Sequence, residues 1–252
     1  MANNISVTIL TKNSGVYLFE CLSALEAFSE VLIVDNGSTD DTIAIASGFK
    51  NVILHEHPFI GFGPMKNIAV DKASNDWIFS VDSDEVVMPE LVSEILSLKL
   101  DRNVVYVMDR DNYYHHRLIR GCGWDNDRVQ RLFNRQSTRY DDKLVHEGLI
   151  INGNLKIEML SGRLKHYPYD NASQLLQKMQ HYSTLWAEEH HGRKQASTVK
   201  ALLYGVLTFL KSYLLKQGWR YGYEGLLISV SNANGVFYKY IKLYEADREH
   251  RL

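Results

Sequence analysis

Four times in its first hundred residues the chain passes from a short apolar run to a stretch with helical spacing, and that rhythm restricts the fold more than any other feature. "ISVTILT" (5–11) reads as a buried strand. Val16, Phe19, Leu22, Leu25 and Phe28 follow at helical intervals, with Asn13 or Ser14 as the expected cap. "VLIVD" (31–35) predicts a second strand, "DDTIAIASGF" a helix, "NVILHE" a third strand and "PMKNIAVDKA" (64–73) another helix. "DWIFSVD" predicts the fourth strand, and Pro89 opens the helix "PELVSEILSL" at a first-turn position where its missing N–H costs nothing. Such repetition predicts an α/β fold, a mostly parallel sheet with helices on both faces.

After about residue 103 the rhythm changes. "VVYVMD", "RVQRLFN", "HEGLIING" and "LKIEML" predict shorter strands of mixed direction, followed by a long helix at about 171–191. An apolar and basic tail runs on to about residue 244, so the expected division is a catalytic domain at 1–192 and a C-terminal helical region at 193–252. The net charge of −2 offers no reason to expect nucleic acid, and two cysteines make no disulfide framework. Cys21 sits on the apolar side of a predicted helix and is expected to be a packed thiol. "MANNISVTILTKN" lacks the basic region and long apolar core of a signal peptide, so a cytoplasmic protein is expected.

Ligands of open α/β sheets bind beyond the carboxyl ends of the strands. Two acidic turns fall there, "DNGSTDD" after the second strand and "DSDE" after the fourth. Asp82 and Asp84 repel each other unless positive charge lies close by. Mg²⁺ or Mn²⁺ would take carboxylate oxygens together with phosphate oxygens of a substrate. The plainer alternative is that both acids only cap the helix near Pro89.

"TILTKN" (8–13), "VLIVDNGSTDDT" (31–42), the D-x-D at 82–84 and "VHE" at 145–147 together resemble the inverting family-2 glycosyltransferases. "GFGPMKNIAVDKASNDWIFSVDSDE" (61–85) narrows the resemblance to enzymes that add glucose to the inner-core heptose of lipopolysaccharide. One departure is Ser14, where such proteins usually carry an acid. The resemblance implies a nucleotide-sugar-binding glycosyltransferase A-type fold. It also implies a metal-dependent transfer of glucose from UDP-glucose with inversion, on a lipid A-core acceptor. Asp35 would accept the uracil N–H, with Thr11 and Asn13 in the same pocket, Asp82 near the ribose, and Asp84 on the metal that bridges the diphosphate. Glu147, in the "HE" turn, would be the base that takes the acceptor hydroxyl's proton; a partly desolvated carboxylate suits that task. Asp141 and Asp142 are its neighbours and competitors. A sister enzyme moving another hexose to a different cell-surface glycan, or a non-catalytic membrane-associated scaffold, would share much of this pattern.

Other residues keep two readings. Lys66 reaches the diphosphate or is a solvated helix residue, and Asn67 beside it is expected to be structural. Gly61 and Gly63 permit close backbone approach but form no dinucleotide fingerprint. His166 is a further metal or phosphate contact, or a packed histidine. Trp124, Arg128 and Arg131 could bind acceptor phosphate or sugar, with Arg131 alternatively pointing outward from a strand. His115–His116 and His190–His191 are adjacent pairs whose members point apart, so both are expected at the surface.

The tail carries the last signal. Between 193 and 244 there are eight basic residues and one acid, Glu224. "ALLYGVLTFL" (201–210) is uncharged, but about ten residues are too few to span a bilayer, which needs roughly 20. The expectation is a helical region lying on an anionic lipid surface, peripheral on the inner face of the bacterial inner membrane, with the alternative of a helical pair showing a basic outer face.

Overall fold

A computed structural model describes residues 4–144 and 147–249. In chain order the regular elements are β1 (Ile5–Thr11), α1 (Leu18–Ser23), β2 (Glu30–Asp35), α2 (Thr42–Ala46), β3 (Val52–Glu56), α3 (Phe62–Lys72), β4 (Trp77–Ser80), β5 (Glu85–Val87) and α4 (Pro89–Ser97). There follow β6 (Val104–Tyr114), β7 (Arg117–Leu118), β8 (Asp127–Asn134), β9 (Lys156–Tyr169), α5 (Ala172–His190), α6 (Thr198–Leu210) and α7 (Gly222–Glu249).

The chain divides into two compact units, Met1–Asp111 with Asn126–His166, and Asn112–Asp125 with Tyr167–Leu252. The expected division at 192/193 therefore falls inside the second unit. The cause is α5, which packs on α7: Lys242 Nζ donates to Gln180 O (3.0 Å) and Thr184 Oγ1 (2.7 Å).

In the first unit the sheet order is β3-β2-β1-β4-β8-β6-β9-β5. Strands β3, β2, β1 and β4 are parallel, and the sheet then turns antiparallel at β4–β8, β8–β6 and β9–β5. Strand β2 shows why a nearly continuous apolar run was needed. Val31 and Ile33 join the core beneath α1 and α4, while Leu32 and Val34 pack on Met65 and Ala69 of α3. Both faces are covered, as parallel strands require. Cys21 is fully buried, and that burial, reinforced by the nearby Glu85 charge, pushes its thiol pKa well up.

Three local expectations change. The first helix is short and starts at Leu18 after Tyr17, not at Asn13 or Ser14. Asn13 turns left-handed (φ 51°) and accepts from Thr39 N (2.8 Å), while Ser14 N donates to Thr42 Oγ1 (2.7 Å), so bonds to the next turn delay the helix. Val16 and Phe19 are consequently exposed. "VVYVMD" and "LKIEML" grow into long strands of 11 and 14 residues. "HEGLIING" forms no strand in its described part; Leu149 makes one bridge to Tyr140.

In the second unit α6 and α7 are neighbours, and a π-helical turn, Lys211–Leu215, extends α6. The exposed His115 and His116 match expectation, whereas His190 and His191 are half-buried. His190 stacks on Trp186 at 4.1 Å.

Candidate active site

Parallel pairing sets Thr11 opposite Asp35 in register, and Val81 N donates to Thr8 O (3.0 Å), so the two acidic turns leave the same edge of the sheet. Asp35 is buried. One oxygen accepts from Thr11 Oγ1 (2.6 Å) and Ser38 Oγ (2.5 Å), the other from Gly37 N (2.8 Å) and Ser38 N (2.7 Å). Burial opposes the charge, but the Ser38 and Thr11 hydrogen bonds outweigh it and lower the pKa. A carboxylate has about four acceptor positions. The structure fills them from within the chain, so Asp35 holds the turn at 36–38. Asn13 lies against that turn, with its N donating to Ser38 Oγ (2.8 Å). The acid missing at position 14 has a counterpart in Asp40, which accepts from Gly15 N (3.0 Å), while Ser14 Oγ meets Ser83 Oγ (2.8 Å).

The turn after β4 gathers more charge than its acids suggested. Glu85 is wholly buried, accepting from Asp82 N (2.9 Å), Arg110 Nη1 (3.0 Å) and Arg131 Nη2 (2.5 Å). Asp82 pairs with Arg131 and, at 3.2 Å, with Lys66. Partial burial opposes its charge, yet Arg131 and Lys66 hold its pKa well below the usual carboxylate range. Lys66 is therefore no solvated helix residue, and Arg131, with a side chain 5% exposed, is neither outward-pointing nor available to an acceptor. Arg110 and Arg131 were the residues that sequence reasoning missed in this role. Their signal was an arginine inside each apolar strand, "VVYVMDR" and "RVQRLFN".

Asp84 turns away from these cations. Its Oδ2 is 3.6 Å from His166 Nε2. The cause is register: β5 and β9 run antiparallel with Glu85 opposite His166, which sets the imidazole beside the preceding residue. At 3.6 Å the two groups are too far apart for a good hydrogen bond, but close enough to share one ion between them. A carboxylate and an imidazole suit a divalent ion that draws its remaining ligands from phosphate oxygens and water. Among the described residues no three His, Cys, Asp or Glu side chains form such a group by themselves.

Glu147 stands on the far side of Lys66, its Oε1 2.9 Å from Nζ. Val145 and His146 of the "VHE" motif lie outside the described residues. The loop that carries Glu147 is closed at its base by Asp141 N donating to Gly148 O (2.9 Å) and by the Tyr140–Leu149 bridge. It is also docked on the start of α3. Phe62 N and Gly63 N donate to Leu144 O (3.1 Å) and Lys143 O (3.0 Å). A Cβ on Gly63 would lie 2.1 Å from Asp141 O, so only glycine allows this approach. Asn67 is structural, exchanging two hydrogen bonds with the Tyr140 backbone. Asp141 is occupied by Lys143 (2.7 Å) and Gly148 N (3.3 Å), and Asp142 is exposed. Arg128 is largely exposed with Nε 3.4 Å from Asp109, and Trp124 belongs to the second unit, stacked on Tyr169.

Residues 6–149, more than half of the chain, match the family model "Glycosyl transferase family 2". The chain belongs to glycosyl transferase family 2. A relative from Rhizobium meliloti (strain 1021), named lipopolysaccharide core biosynthesis glycosyltransferase LpsC, is 30% identical over 96% of this chain and 92% of its own. An uncharacterized glycosyltransferase of Rickettsia prowazekii is 26% identical over 95% of this chain and 86% of its own. The fold of the glycosyltransferase is similar to S. aureus TarS 1–349 in complex with UDP-GlcNAc, with a TM-score of 0.50 and 12% identity over 98% of this chain and 91% of that one.

Proposed function

We propose that this glycosyltransferase moves glucose from UDP-glucose to an inner-core heptose of lipopolysaccharide, inverting the anomeric configuration in one displacement. The observation that carries the reading is that Lys66 joins Asp82 of the D-x-D turn to Glu147, while Asp84 and His166 converge on the other side of that turn. The relative named for lipopolysaccharide core biosynthesis supports the acceptor class, and the UDP-GlcNAc held by TarS supports a UDP-sugar donor.

Thr11, Asn13 and the turn held by Asp35 form the nucleotide pocket, with Asp82 toward the ribose. Asp84 and His166 would hold Mg²⁺ or Mn²⁺, and that ion would supply positive charge to offset the departing diphosphate. Glu147 takes the proton of the acceptor hydroxyl as its oxygen bonds to the anomeric carbon and the bond to UDP breaks. Lys66 keeps that carboxylate placed. An acceptor built on lipid A stays in its bilayer, so the work is done at the cytoplasmic face of the inner membrane.

The test mixes the purified chain with several nucleotide sugars and truncated lipopolysaccharide acceptors, with and without Mn²⁺. Product mass and linkage are then read. A hexose added from UDP-glucose as a β-linkage is expected. Transfer of a different hexose would make it a sister enzyme, and UDP binding with no product from any donor would make it a scaffold.

A further inference from the structure

The second unit exposes its apolar side where a water-soluble helix shows a polar one. Helix α6 turns Ala201 and Gly205 inward, and the π-helical turn that follows does the same with Ser212. These are small residues, and a Cβ on Gly205 would already be 3.3 Å from Phe237 Cβ on α7. The opposite side carries Val199, Leu202, Leu203, Val206, Leu207 and Leu210, all exposed. Their intervals of three and four residues place them on one face, and Leu214 and Leu215 extend it, the latter 78% exposed. From Thr198 to Leu215 the helix has a mean hydropathy of 1.3 over 18 residues, of which only 17% are buried. Stripes of this size do not face water without a partner.

Charge selects the partner. The single acid between 193 and 244, Glu224, is buried and paired with Arg117 at 2.9 Å. Lys211, Lys216 and Arg220 are exposed around the far end of the stripe, beside Trp219 and Tyr223, which are 57% and 63% exposed. Cations and amphipathic rings around an apolar stripe match the headgroup layer of an anionic bilayer.

We propose that the outward stripe of α6 lies in the plane of an anionic phospholipid bilayer, its leucines among the acyl chains and Lys211, Lys216 and Arg220 on lipid phosphates. By length and composition this helix also qualifies to cross a membrane. It does not cross, because its neighbour α7 carries Asn232, Asn234, Lys239 and Lys242, which a spanning pair would drag into hydrocarbon. The inference rests on this surface and not on the sugar transferred.

The test uses the full chain and vesicles of phosphatidylcholine, with or without phosphatidylglycerol, containing no lipopolysaccharide; a failed transfer assay therefore leaves it untouched. Flotation is expected with the anionic vesicles, weakening in high salt. Brominated lipid should quench a fluorescence component that Trp219→Phe removes. Leu203→Glu and Leu207→Glu should each reduce partitioning about tenfold or more, with circular dichroism and UDP affinity unchanged. If either variant unfolds, Lys211→Glu with Lys216→Glu, both at exposed positions, should still weaken flotation. Three results would overturn the proposal: flotation unaltered in the variants, resistance of the bound protein to alkaline carbonate extraction (a spanning helix), or a dimer that Leu203→Glu splits while vesicles are ignored.

Discussion

Lys66 Nζ lies 2.9 Å from Oε1 of Glu147, and the lysine side chain is only 8% exposed. Burial alone would lower its pKa, but the Asp82 charge, with that of Glu147 behind it, raises it above the ordinary lysine value. One buried cation thus ties the proposed base to the D-x-D turn. Lys66→Met should leave two carboxylates without it. Removing one partner of a buried ion pair costs about 3–5 kcal/mol, and because Asp82 is a third exposed the loss belongs at the low end. Urea unfolding measures it, and Lys66→Arg, which keeps the charge, should recover part of the stability.

Glu147→Gln keeps the shape of the side chain and removes its ability to take a proton. Turnover should fall by about 10²–10⁴ with UDP affinity unchanged. Steady-state kinetics beside calorimetry separate the two, and a variant that keeps most of its turnover moves the base elsewhere.

Asp84→Ala and His166→Ala should each lower UDP affinity in Mn²⁺ about tenfold or more, toward the value of the unaltered protein in EDTA. Calorimetry in both buffers provides the comparison. Equal wild-type affinity with and without the ion would remove both residues from metal binding.

Gly63→Ala puts a Cβ 2.1 Å from Asp141 O and 2.8 Å from Lys143 O, so the loop carrying Glu147 must move. Overpacking of this kind costs about 1–3 kcal/mol. The sharper expectation is kinetic: kcat should fall while the donor KM stays near its original value.

Asp35 and Asp82 both have folded pKa values below their usual range, against about 3.9 in an unfolded chain. The unfolded state then binds more protons as the solution turns acid. Their contribution is complete above about pH 5 and fades as pH falls through the folded values. Asp35→Asn should destabilise by about 2 kcal/mol at pH 7 through weakened charge-assisted hydrogen bonds. Urea midpoints taken down to pH 3 should show that difference shrinking.

By itself the sequence determined what depends on neighbours along the chain. The nearly continuous apolar runs of β1, β2 and β4 required parallel strands buried on both faces, and local adjacency put Asp35 at the end of β2 and Asp82 just past β4. Small Gly61 and Gly63 announced a close backbone approach without saying to what. Tertiary structure decided the rest, because facing partners lie far apart in sequence. The β5–β9 register brought His166 to Asp84, and two strands and a helix brought Arg110, Arg131 and Lys66 to neutralise Asp82 and Glu85. Hydropathy marked α6 as apolar, but only its packing on α7 through Ala201 and Gly205 showed that the leucines face outward. Periodicity records which residues share a face; what that face meets depends on long-range pairing, where buried charge must find its counter-charge and small residues let helices approach.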